Sequence, residues 1–285
     1  MNILVTGSGG QLGSEFRALS VRYPRHRFFF FDHAGLDIRD RKQVRGVMEQ
    51  CRPAVVLNCA AFTSVDNAEA EPEKAYEVNR DGAAVLAENA KEHGALLVHI
   101  SSYYVFDGYA GVPYKETDET GPVGVYALSK FQGEELIRNS ASSFLIIRTG
   151  WLYSAFGVNF VKTMLRLGRE RESVKVVFDR VGSPAYAGDL AQAVMNILEK
   201  QEPGKTCAAT YHLANEGVCS WYDFAVAVMR FAKLPCRVLP VDSSEFPVAG
   251  PRPCCSALNS RAIAKDYGLD VPWWQESLEK MLESC

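Results

Sequence analysis

The chain opens with Met1-Asn2-Ile3-Leu4-Val5-Thr6-Gly7-Ser8-Gly9-Gly10-Gln11-Leu12-Gly13, an apolar run followed by a turn rich in glycine. The residues from Gln11 to Ser20 have helical character, so the glycines fall between a strand and a helix. Glycines there permit a tight turn and let the backbone approach a phosphate, while free N–H groups of the helix face the anion. The spacing predicts a dinucleotide-binding turn at Gly7, Gly10 and Gly13, with a plain glycine-rich turn as the alternative.

An acidic residue closes the second predicted strand. Asp32 follows Arg27-Phe28-Phe29-Phe30-Phe31, about 20 residues after the glycines, where dinucleotide folds place the carboxylate that binds the adenosine ribose. This carboxylate would repel a 2′-phosphate, and no arginine or lysine lies in the glycine turn to offset the repulsion. The sequence therefore favours NADH over NADPH without excluding NADPH. A solvated aspartate at a strand end is the alternative.

A tyrosine and a lysine four residues apart form the second motif, Tyr126-Ala127-Leu128-Ser129-Lys130. Residues at this spacing share one face of a helix, so the lysine ammonium is expected to lower the pKa of Tyr126. The phenol can then donate a proton to a carbonyl while hydride arrives from a nicotinamide. The motif alone is common on exposed helices, but Ser101 and Ser102 place hydroxyls at the end of an apolar strand. We predict Tyr126, Lys130 and Ser102 as catalytic residues.

Strand and helix patterns alternate along the chain up to about Thr149, as a parallel sheet built from βαβ units requires. A long helix is predicted over Glu73–His93, and His99 is predicted to be a buried core histidine. The fold class is a Rossmann-type doubly wound parallel sheet. A length of 285 residues suits this domain plus a smaller C-terminal α/β cap that binds the substrate.

These motifs, in this order, resemble the extended short-chain dehydrogenase/reductase family and, within it, the dTDP-4-dehydrorhamnose reductases. Asn58-Cys59-Ala60-Ala61-Phe62-Thr63-Ser64-Val65-Asp66 is similar to the family's stretch after the third strand. Ser101-Ser102-Tyr103-Tyr104-Val105-Phe106-Asp107-Gly108 is similar to its Ser-Thr-Asp-Tyr-Val-Phe-Asp-Gly motif. The resemblance covers nearly the whole chain through shorter motifs at residues 148–153, 159–165, 182–184, 211–213, 220–224 and 252–253.

The resemblance implies further site residues and a division into domains. Cofactor contacts are implied at Gly7, Gly10, Gln11, Leu12, Gly13, Asp32, Asp37, Ile38, Ala60, Ala61, Phe62, Thr63, Ile100, Tyr126 and Lys130. Substrate contacts are implied at Thr63, Val65, Ser102, Tyr103, Tyr104, Tyr126 and Trp151, with core packing as the alternative for Trp151. Because the family's cap is assembled from separate segments, residues 1–152 with 180–214 are assigned to the dinucleotide-binding domain and 153–179 with 215–285 to the cap.

Some residues depart from the family pattern. Ser102 stands in place of a threonine and keeps the hydroxyl, whereas Tyr103 puts a bulky phenol where the family has an aspartate that contacts the substrate. Ala127 replaces a glycine, which a helix tolerates easily. Glu15 matches a glutamate that helps bind Mg²⁺ between subunits in some members, but Gly188 stands where its acidic partner is expected. We therefore predict no metal, and either a monomer or a homodimer.

Composition excludes several classes of protein. A net charge of −3 gives no basic surface for nucleic acid or an anionic membrane. No apolar stretch approaches the roughly 20 residues that span a bilayer, and the chain begins with a strand in place of a signal peptide. Eight scattered cysteines without Cys-x-x-Cys spacing fit reduced thiols. We expect a cytoplasmic enzyme whose partner is a nucleotide-sugar substrate, without nucleic acid or membrane.

The activity that the resemblance implies is NADH- or NADPH-dependent reduction of the 4-keto group of dTDP-4-dehydro-β-L-rhamnose to dTDP-L-rhamnose, in cell-surface polysaccharide biosynthesis. One alternative is reduction of another nucleotide-linked 4-keto-6-deoxyhexose, which Tyr103 keeps open. A second is a non-catalytic NADP-binding regulatory subunit resembling that of methionine adenosyltransferase. Intact Ser102, Tyr126 and Lys130 argue against it, because a binding module has no use for a proton donor.

Overall fold

In the computed structural model, which describes residues 1–201, 206–246 and 248–284, strands and helices alternate from the amino terminus onward. The described strands are β1 (Asn2–Thr6), β2 (Arg27–Phe31), β3 (Val55–Asn58), β4 (Leu96–Ser102), β5 (Phe144–Thr149), β6 (Leu152–Tyr153), β7 (Ser173–Val177), β8 (Val181–Gly182), β9 (Ala185–Tyr186), β10 (Ala208–His212), β11 (Cys219–Ser220), β12 (Arg237–Val241) and β13 (Cys255–Ser256). The described α-helices are α1 (Gln11–Ser20), α2 (Arg41–Cys51), α3 (Val65–Ala70), α4 (Pro72–Tyr76), α5 (Gly82–Glu92), α6 (Val125–Ser140), α7 (Phe160–Glu170), α8 (Ala187–Lys200), α9 (Trp221–Phe231), α10 (Arg261–Tyr267) and α11 (Trp274–Leu282).

Six strands form one parallel sheet in the order β10-β5-β4-β3-β1-β2. Leu4 of β1, for example, lies opposite Phe29 of β2 and Val56 of β3. The chain runs outward from β1 to β2 and then crosses back to β3, so the strand order reverses between β1 and β3. Sheets of this kind bind ligands in the crevice at the carboxyl ends of the strands, at the point of reversal. The predicted Rossmann-type doubly wound parallel sheet is confirmed.

Helices cover both faces of this sheet, because successive strand residues point to opposite sides. Ile3 and Val5 pack with α1, α8 and α10, whereas Leu4 packs with α2, α5 and α6. All three side chains are fully buried. Burying a side chain of this size stabilises a fold by about 1.5–3 kcal/mol. The two apolar layers therefore fix the strand ends that carry the candidate site.

A third apolar cluster lies outside the six-stranded sheet, where α7, α9 and α11 pack around the fully buried Phe224. Smaller sheets border this cluster: β12 pairs with β7, β8 lies between β11 and β13, and β6 pairs with β9. These elements fall largely in the segments predicted to form the cap. The domain boundaries themselves stay a prediction.

The helix predicted over Glu73–His93 is interrupted. A π-helical turn over Glu77–Asp81 separates α4 from α5 and contains Asn79, which is buried. The Asn79 side chain accepts a hydrogen bond from the Phe62 N–H at 2.9 Å and donates to the Phe62 carbonyl and the Ser129 hydroxyl, each at 3.0 Å. Turns of this type are frequent at functional sites. Here the turn joins the loop after β3 to α6.

The close packing of α6 against this π turn yields a stability test. A Cβ added at Gly133 would lie 2.2 Å from the Asn79 carbonyl oxygen, whereas one added at Gly46, in α2, would meet nothing within 4 Å. Gly133→Ala should therefore destabilise the protein by about 1–3 kcal/mol through overpacking. The control Gly46→Ala should stabilise it by about 0.5–1 kcal/mol through higher helix propensity. Urea denaturation measures both, and equal effects would contradict the packing described.

Candidate active site

The glycine turn between β1 and α1 leaves no room for side chains. Gly7 has a positive φ of 64°, and a Cβ added there would lie 2.5 Å from the backbone nitrogen of Ala60. A Cβ on Gly13 would lie 2.5 Å from the Gly7 carbonyl oxygen. Gly10 precedes α1 without a side-chain cap, which leaves N–H groups of the first helical turn for an anion. The turn fits a dinucleotide pyrophosphate, and Gly7, Gly10 and Gly13 meet in it as predicted.

The two residues that follow Gly10 differ in what they can offer a cofactor. Gln11 is half-buried, and its side-chain oxygen accepts a hydrogen bond from Asn159 at 3.1 Å. Leu12 is buried in the core between the sheet and α8, so only its backbone faces the turn. Gln11 thereby connects the glycine turn to the start of α7.

Asp32 lies at the exposed end of β2, next to the glycine turn. Its Oδ1 accepts a hydrogen bond from the Gly35 N–H at 2.9 Å, and a Cβ on Gly9 would lie 3.6 Å from the Asp32 Cβ. Two other predicted cofactor contacts lie in the next loop. Asp37 is paired with Arg39 at 2.7 Å, chiefly through a hydrogen bond that lowers the pKa of Asp37, and Ile38 is buried.

The loop after β3 is held by the buried side chain of Asn58. Asn58 Oδ1 accepts hydrogen bonds from the Thr6 hydroxyl at 2.8 Å and from the Ala60 N–H at 3.2 Å. These bonds place Ala60, Ala61 and Phe62 beside the glycine turn, at the point where the strand order reverses. Two further predicted contacts follow in the chain. Thr63 is exposed, and Val65, the first residue of α3, is half-buried.

Ser102 and Tyr126 meet at the carboxyl end of β4. Tyr126 lies in the first turn of α6, and its phenol is nine-tenths buried beside the Ser102 hydroxyl. Burial raises the pKa of Tyr126 to about 12, and a hydrogen bond from Ser102 partly offsets that rise. The expectation that Lys130 lowers the pKa of Tyr126 is wrong, because burial of the phenol dominates and raises it. The phenol is therefore protonated at neutral pH.

Lys130 is buried one helical turn after Tyr126, with only 2% of its surface exposed. Its ammonium donates a hydrogen bond to the Ile100 carbonyl at 2.8 Å and lies 3.2 Å from His99 Nε2. Burial lowers the pKa of Lys130 to about 8. His99 is buried in β4 as predicted, and burial holds the pKa of its imidazole well below the usual value. The contact between His99 and Lys130 was not predicted.

A buried ion pair supports α6 behind Lys130. Glu134 lies one turn further along the helix and pairs with Arg148 of β5 at 2.8 Å. Both side chains are nearly or fully buried. Hydrogen bonds and charge from Arg148 hold the pKa of Glu134 below its usual value despite burial. Sequence reasoning missed this pair, although Arg148 lies in a motif similar to the family and Glu134 stands four residues after Lys130.

Tyr103 and Tyr104 form an aromatic wall beside Tyr126. Their ring centroids are 4.6 Å apart, and the Tyr104 ring lies edge-on to Tyr126 at 5.1 Å. The phenol of Tyr103 hydrogen-bonds to Tyr104, and burial raises the pKa of both phenols. The Tyr103 ring also fills the space where Gly150 lacks a side chain, since a Cβ on Gly150 would lie 2.0 Å from the ring.

Trp151 has an unusual backbone conformation and is buried. Its φ is +48°, a strained value for a residue other than glycine. The indole N–H donates to the Ser256 hydroxyl at 2.8 Å, and the ring stacks on Trp221 at 3.6 Å. The ring therefore connects the chain just after β5 to the third apolar cluster. This packing matches the alternative given for Trp151, and its contact with substrate stays a prediction.

An ion pair missed by sequence reasoning closes the other side of the site. Arg252 pairs with Asp66 of α3 at 2.8 Å, and Asp66 also accepts a hydrogen bond from the Gly250 N–H at 2.9 Å. Arg252 also acts on the phenol of Tyr104, where it partly offsets the rise in pKa caused by burial. Both charged residues lie in motifs quoted for the family resemblance, but 186 positions apart, so their pairing could not be read from spacing.

Glu15, considered above for metal binding, is buried in α1. Its carboxylate accepts a hydrogen bond from Ser154 at 2.6 Å, and burial raises its pKa. Asp189 contributes to that rise and is itself paired with Lys280 at 2.9 Å. Among the described residues, no group of three or more metal-ligating side chains is present.

The seven described cysteines are free thiols, and Cys285 lies outside the described residues. Within the same residues, no helix has the length and apolarity to cross a membrane.

A protein-family model described as the RmlD substrate binding domain matches residues 1–285. The chain belongs to this family. The resemblance to the dTDP-4-dehydrorhamnose reductases, drawn from the motifs alone, is confirmed by relatives of that name that match over almost the full chain.

Relatives of known name match over almost the full chain. The dTDP-4-dehydrorhamnose reductase of Aggregatibacter actinomycetemcomitans is 39% identical over 98% of this chain and 97% of its own. The spore coat polysaccharide biosynthesis protein SpsK of Bacillus subtilis is 41% identical over 99% of this chain and 96% of its own. A crystal structure of dTDP-4-dehydrorhamnose reductase from Bacillus anthracis in complex with NADP superposes with a TM-score of 0.94 at 37% identity, covering 100% of this chain and 99% of that one.

The depressed pKa of Lys130 predicts two opposite pH effects. Lys130 is one of the predicted cofactor contacts, and its ammonium form predominates below about pH 8. Because this charge is lost as pH rises through 8, NADPH affinity should fall over the same range. The free energy of unfolding should rise between pH 8 and 10.5, since the unfolded lysine, with its usual pKa of 10.5, binds more protons there. Fluorescence titration and urea denaturation across this range measure both effects. In Lys130→Met both slopes should be lost, and their persistence would assign them to another group.

The contact between Tyr103 and Gly150 predicts coupling between the two positions. Gly150→Ala should cost about 1–3 kcal/mol, because the added methyl group overlaps the Tyr103 ring. The same substitution should cost less in a Tyr103→Asp background, where the ring is removed. A double-mutant cycle by urea denaturation measures this difference. Additive effects would mean that the ring does not constrain residue 150.

Proposed function

We propose that this chain uses NADPH or NADH to reduce the 4-keto group of dTDP-4-dehydro-β-L-rhamnose to dTDP-L-rhamnose. The observation that carries the proposal is the buried contact of Ser102 with Tyr126, with Lys130 one helical turn away, at the sheet edge that also holds the glycine turn. The names of relatives that match over almost the full chain support this substrate. The name of SpsK supports a place in polysaccharide biosynthesis.

Tyr126 supplies the proton of the reaction. With a pKa of about 12 the phenol stays protonated at neutral pH and can donate from its Oη to a carbonyl oxygen placed beside it. The Ser102 hydroxyl donates to the same phenol oxygen and so stabilises the phenolate left after transfer. Burial of both groups excludes water, which strengthens these interactions.

Residues on the neighbouring strand ends would hold the dinucleotide, whose nicotinamide supplies the hydride when bound. The glycine turn and the start of α1 would hold the pyrophosphate, and Asp32 the adenosine ribose. The Lys130 ammonium, fixed by the Ile100 carbonyl, would hold the nicotinamide ribose. The loop from Ala60 to Thr63 lies between these two regions.

The sugar would lie between the catalytic pair and the later segments of the chain. Ser102, Tyr126 and Thr63 can hydrogen-bond to it, while Val65 and Trp151 offer apolar surface to a deoxy carbon. Tyr103 and Tyr104 would form the wall nearest the proton donor, since Tyr104 contacts the Tyr126 ring. The Asp66–Arg252 pair would keep Tyr104 in place.

Tyr103 also favours one alternative substrate. A phenol bonded to Tyr104 replaces the carboxylate that contacts substrate in the family, and a site built to bond a substrate hydroxyl discriminates strongly when that bond is lost. Reduction of another nucleotide-linked 4-keto-6-deoxyhexose is therefore the second candidate. Assays with a panel of such sugars, each with NADPH and NADH, separate the two candidates by their kcat/KM values.

Oligomeric state and compartment complete the proposal. We propose that the protein is a monomer or a homodimer and that it lies in the cytoplasm. Light scattering after size-exclusion chromatography tests the first, and cell fractionation tests the second.

Tyr126→Phe tests the proposed proton donor. The variant keeps the ring and removes the phenolic proton, so kcat should fall about 100-fold or more while NADPH binding persists. The control Tyr23→Phe removes a phenol that accepts a bond from Gln192 on α8, and should leave kcat unchanged. Steady-state kinetics with the keto-sugar and a fluorescence titration of NADPH provide the two readouts. Near-wild-type kcat in Tyr126→Phe would refute the mechanism.

A further inference from the structure

Arg17 brings a positive charge to the glycine turn from outside it. Although Arg17 lies four residues after Gly13, its Nη2 donates a hydrogen bond to the Ser8 hydroxyl at 3.3 Å. Its guanidinium also lies over the Phe30 ring, 4.4 Å from the ring centroid. Stacking on an aromatic face holds an arginine in place and leaves its remaining N–H groups free to donate.

Arg17 shares one corner of the molecule with the residues expected to bind the adenosine ribose. The Ser8 N–H donates to the Phe31 carbonyl at 3.0 Å, which fixes the glycine turn to the end of β2. Asp32 follows directly and lies beside Gly9. The hydroxyl of Ser8 and the guanidinium of Arg17 therefore lie near the end of β2 that Asp32 follows, where dinucleotide folds put the adenosine ribose.

The charge of Arg17 is not neutralised locally. Arg39 and Arg41, near the same end of the sheet, pair with Glu77 and Glu88. Within residues 1–201, 206–246 and 248–284, no ion pair joins Arg17 to a carboxylate. Asp32 directs its Oδ1 to the Gly35 N–H of its own turn. Arg17 therefore keeps a charge that an added anion at this corner can pair with.

We propose that Arg17 and Ser8 form a subsite for the 2′-phosphate of an adenine dinucleotide. A guanidinium binds phosphate through parallel N–H donors, and the Ser8 hydroxyl adds a donor to the same group. The positive charge offsets the repulsion between the phosphate and Asp32. The sequence favoured NADH because the glycine turn contains no basic residue; the folded chain supplies one from the next turn of α1. The inference rests on the dinucleotide binding included in the proposed function.

The test compares Kd values for NADPH and NADH in Arg17→Met, measured by fluorescence titration without any sugar. Methionine keeps an unbranched side chain over Phe30 and removes the charge. The Kd for NADPH should rise about tenfold or more, while that for NADH should stay within about twofold. The matched control, Arg22→Met, removes an equal charge from an exposed arginine just after α1 and should change neither value.

Salt and a second substitution sharpen the result. In the wild type, added salt should weaken NADPH more than NADH, and this difference should shrink in Arg17→Met. Ser8→Ala should weaken NADPH selectively, but less than loss of the arginine. An unchanged NADPH Kd, or an equal loss for both cofactors, would overturn the subsite. Because no keto-sugar is present, failure of the reductase proposal in turnover assays leaves these binding results readable on their own.

Discussion

Lys130 keeps an ammonium group inside the protein, where desolvation opposes its charge, and the surrounding strand ends are arranged to hold it. The Ile100 carbonyl accepts its hydrogen bond, His99 Nε2 lies 3.2 Å from it, and the Glu134–Arg148 pair supports the same helix one turn further on. An uncompensated buried cation would be costly. The geometry of β4, β5 and α6 therefore depends on satisfying this group, and Tyr126 takes its position from the same helix.

The cofactor side of the site depends on backbone contacts more than on side chains. Gly7 and Gly13 let the turn after β1 approach the loop after β3, and Asn58 ties the two by bonds to Thr6 and Ala60. The π turn carrying Asn79 then connects that loop to Ser129 in α6. Hydrogen bonds, together with the short stretch of chain from Ala60 to Phe62, thus link the glycine turn to the helix that bears Tyr126 and Lys130.

The sequence predicted the parallel sheet well, because glycine spacing, strand hydrophobicity and the Tyr-Lys motif are local patterns with direct physical causes. It also predicted that Ser102 and Tyr126 lie close together, and their side chains are in contact in the structure. It did not predict their electrostatics: whether Lys130 or burial governs the phenol depends on where the ammonium points, which the spacing of four leaves open. The Glu134–Arg148 and Asp66–Arg252 pairs escaped prediction because their members are joined only by tertiary packing, and Arg17 because its side chain returns to a turn it does not belong to.

The central claim is that this site passes hydride from a nicotinamide to the sugar carbon whose oxygen Tyr126 protonates. The most direct measurement supplies the wild-type protein with dTDP-4-dehydro-β-L-rhamnose and NADPH deuterated at nicotinamide C4, in separate reactions with each stereoisomer, and locates deuterium in the product by NMR. The account predicts deuterium at sugar C4 from one stereoisomer alone, with one NADPH consumed per dTDP-L-rhamnose formed. NADPH oxidation without deuterium at that carbon, or no oxidation by a folded protein that binds NADPH, would contradict it.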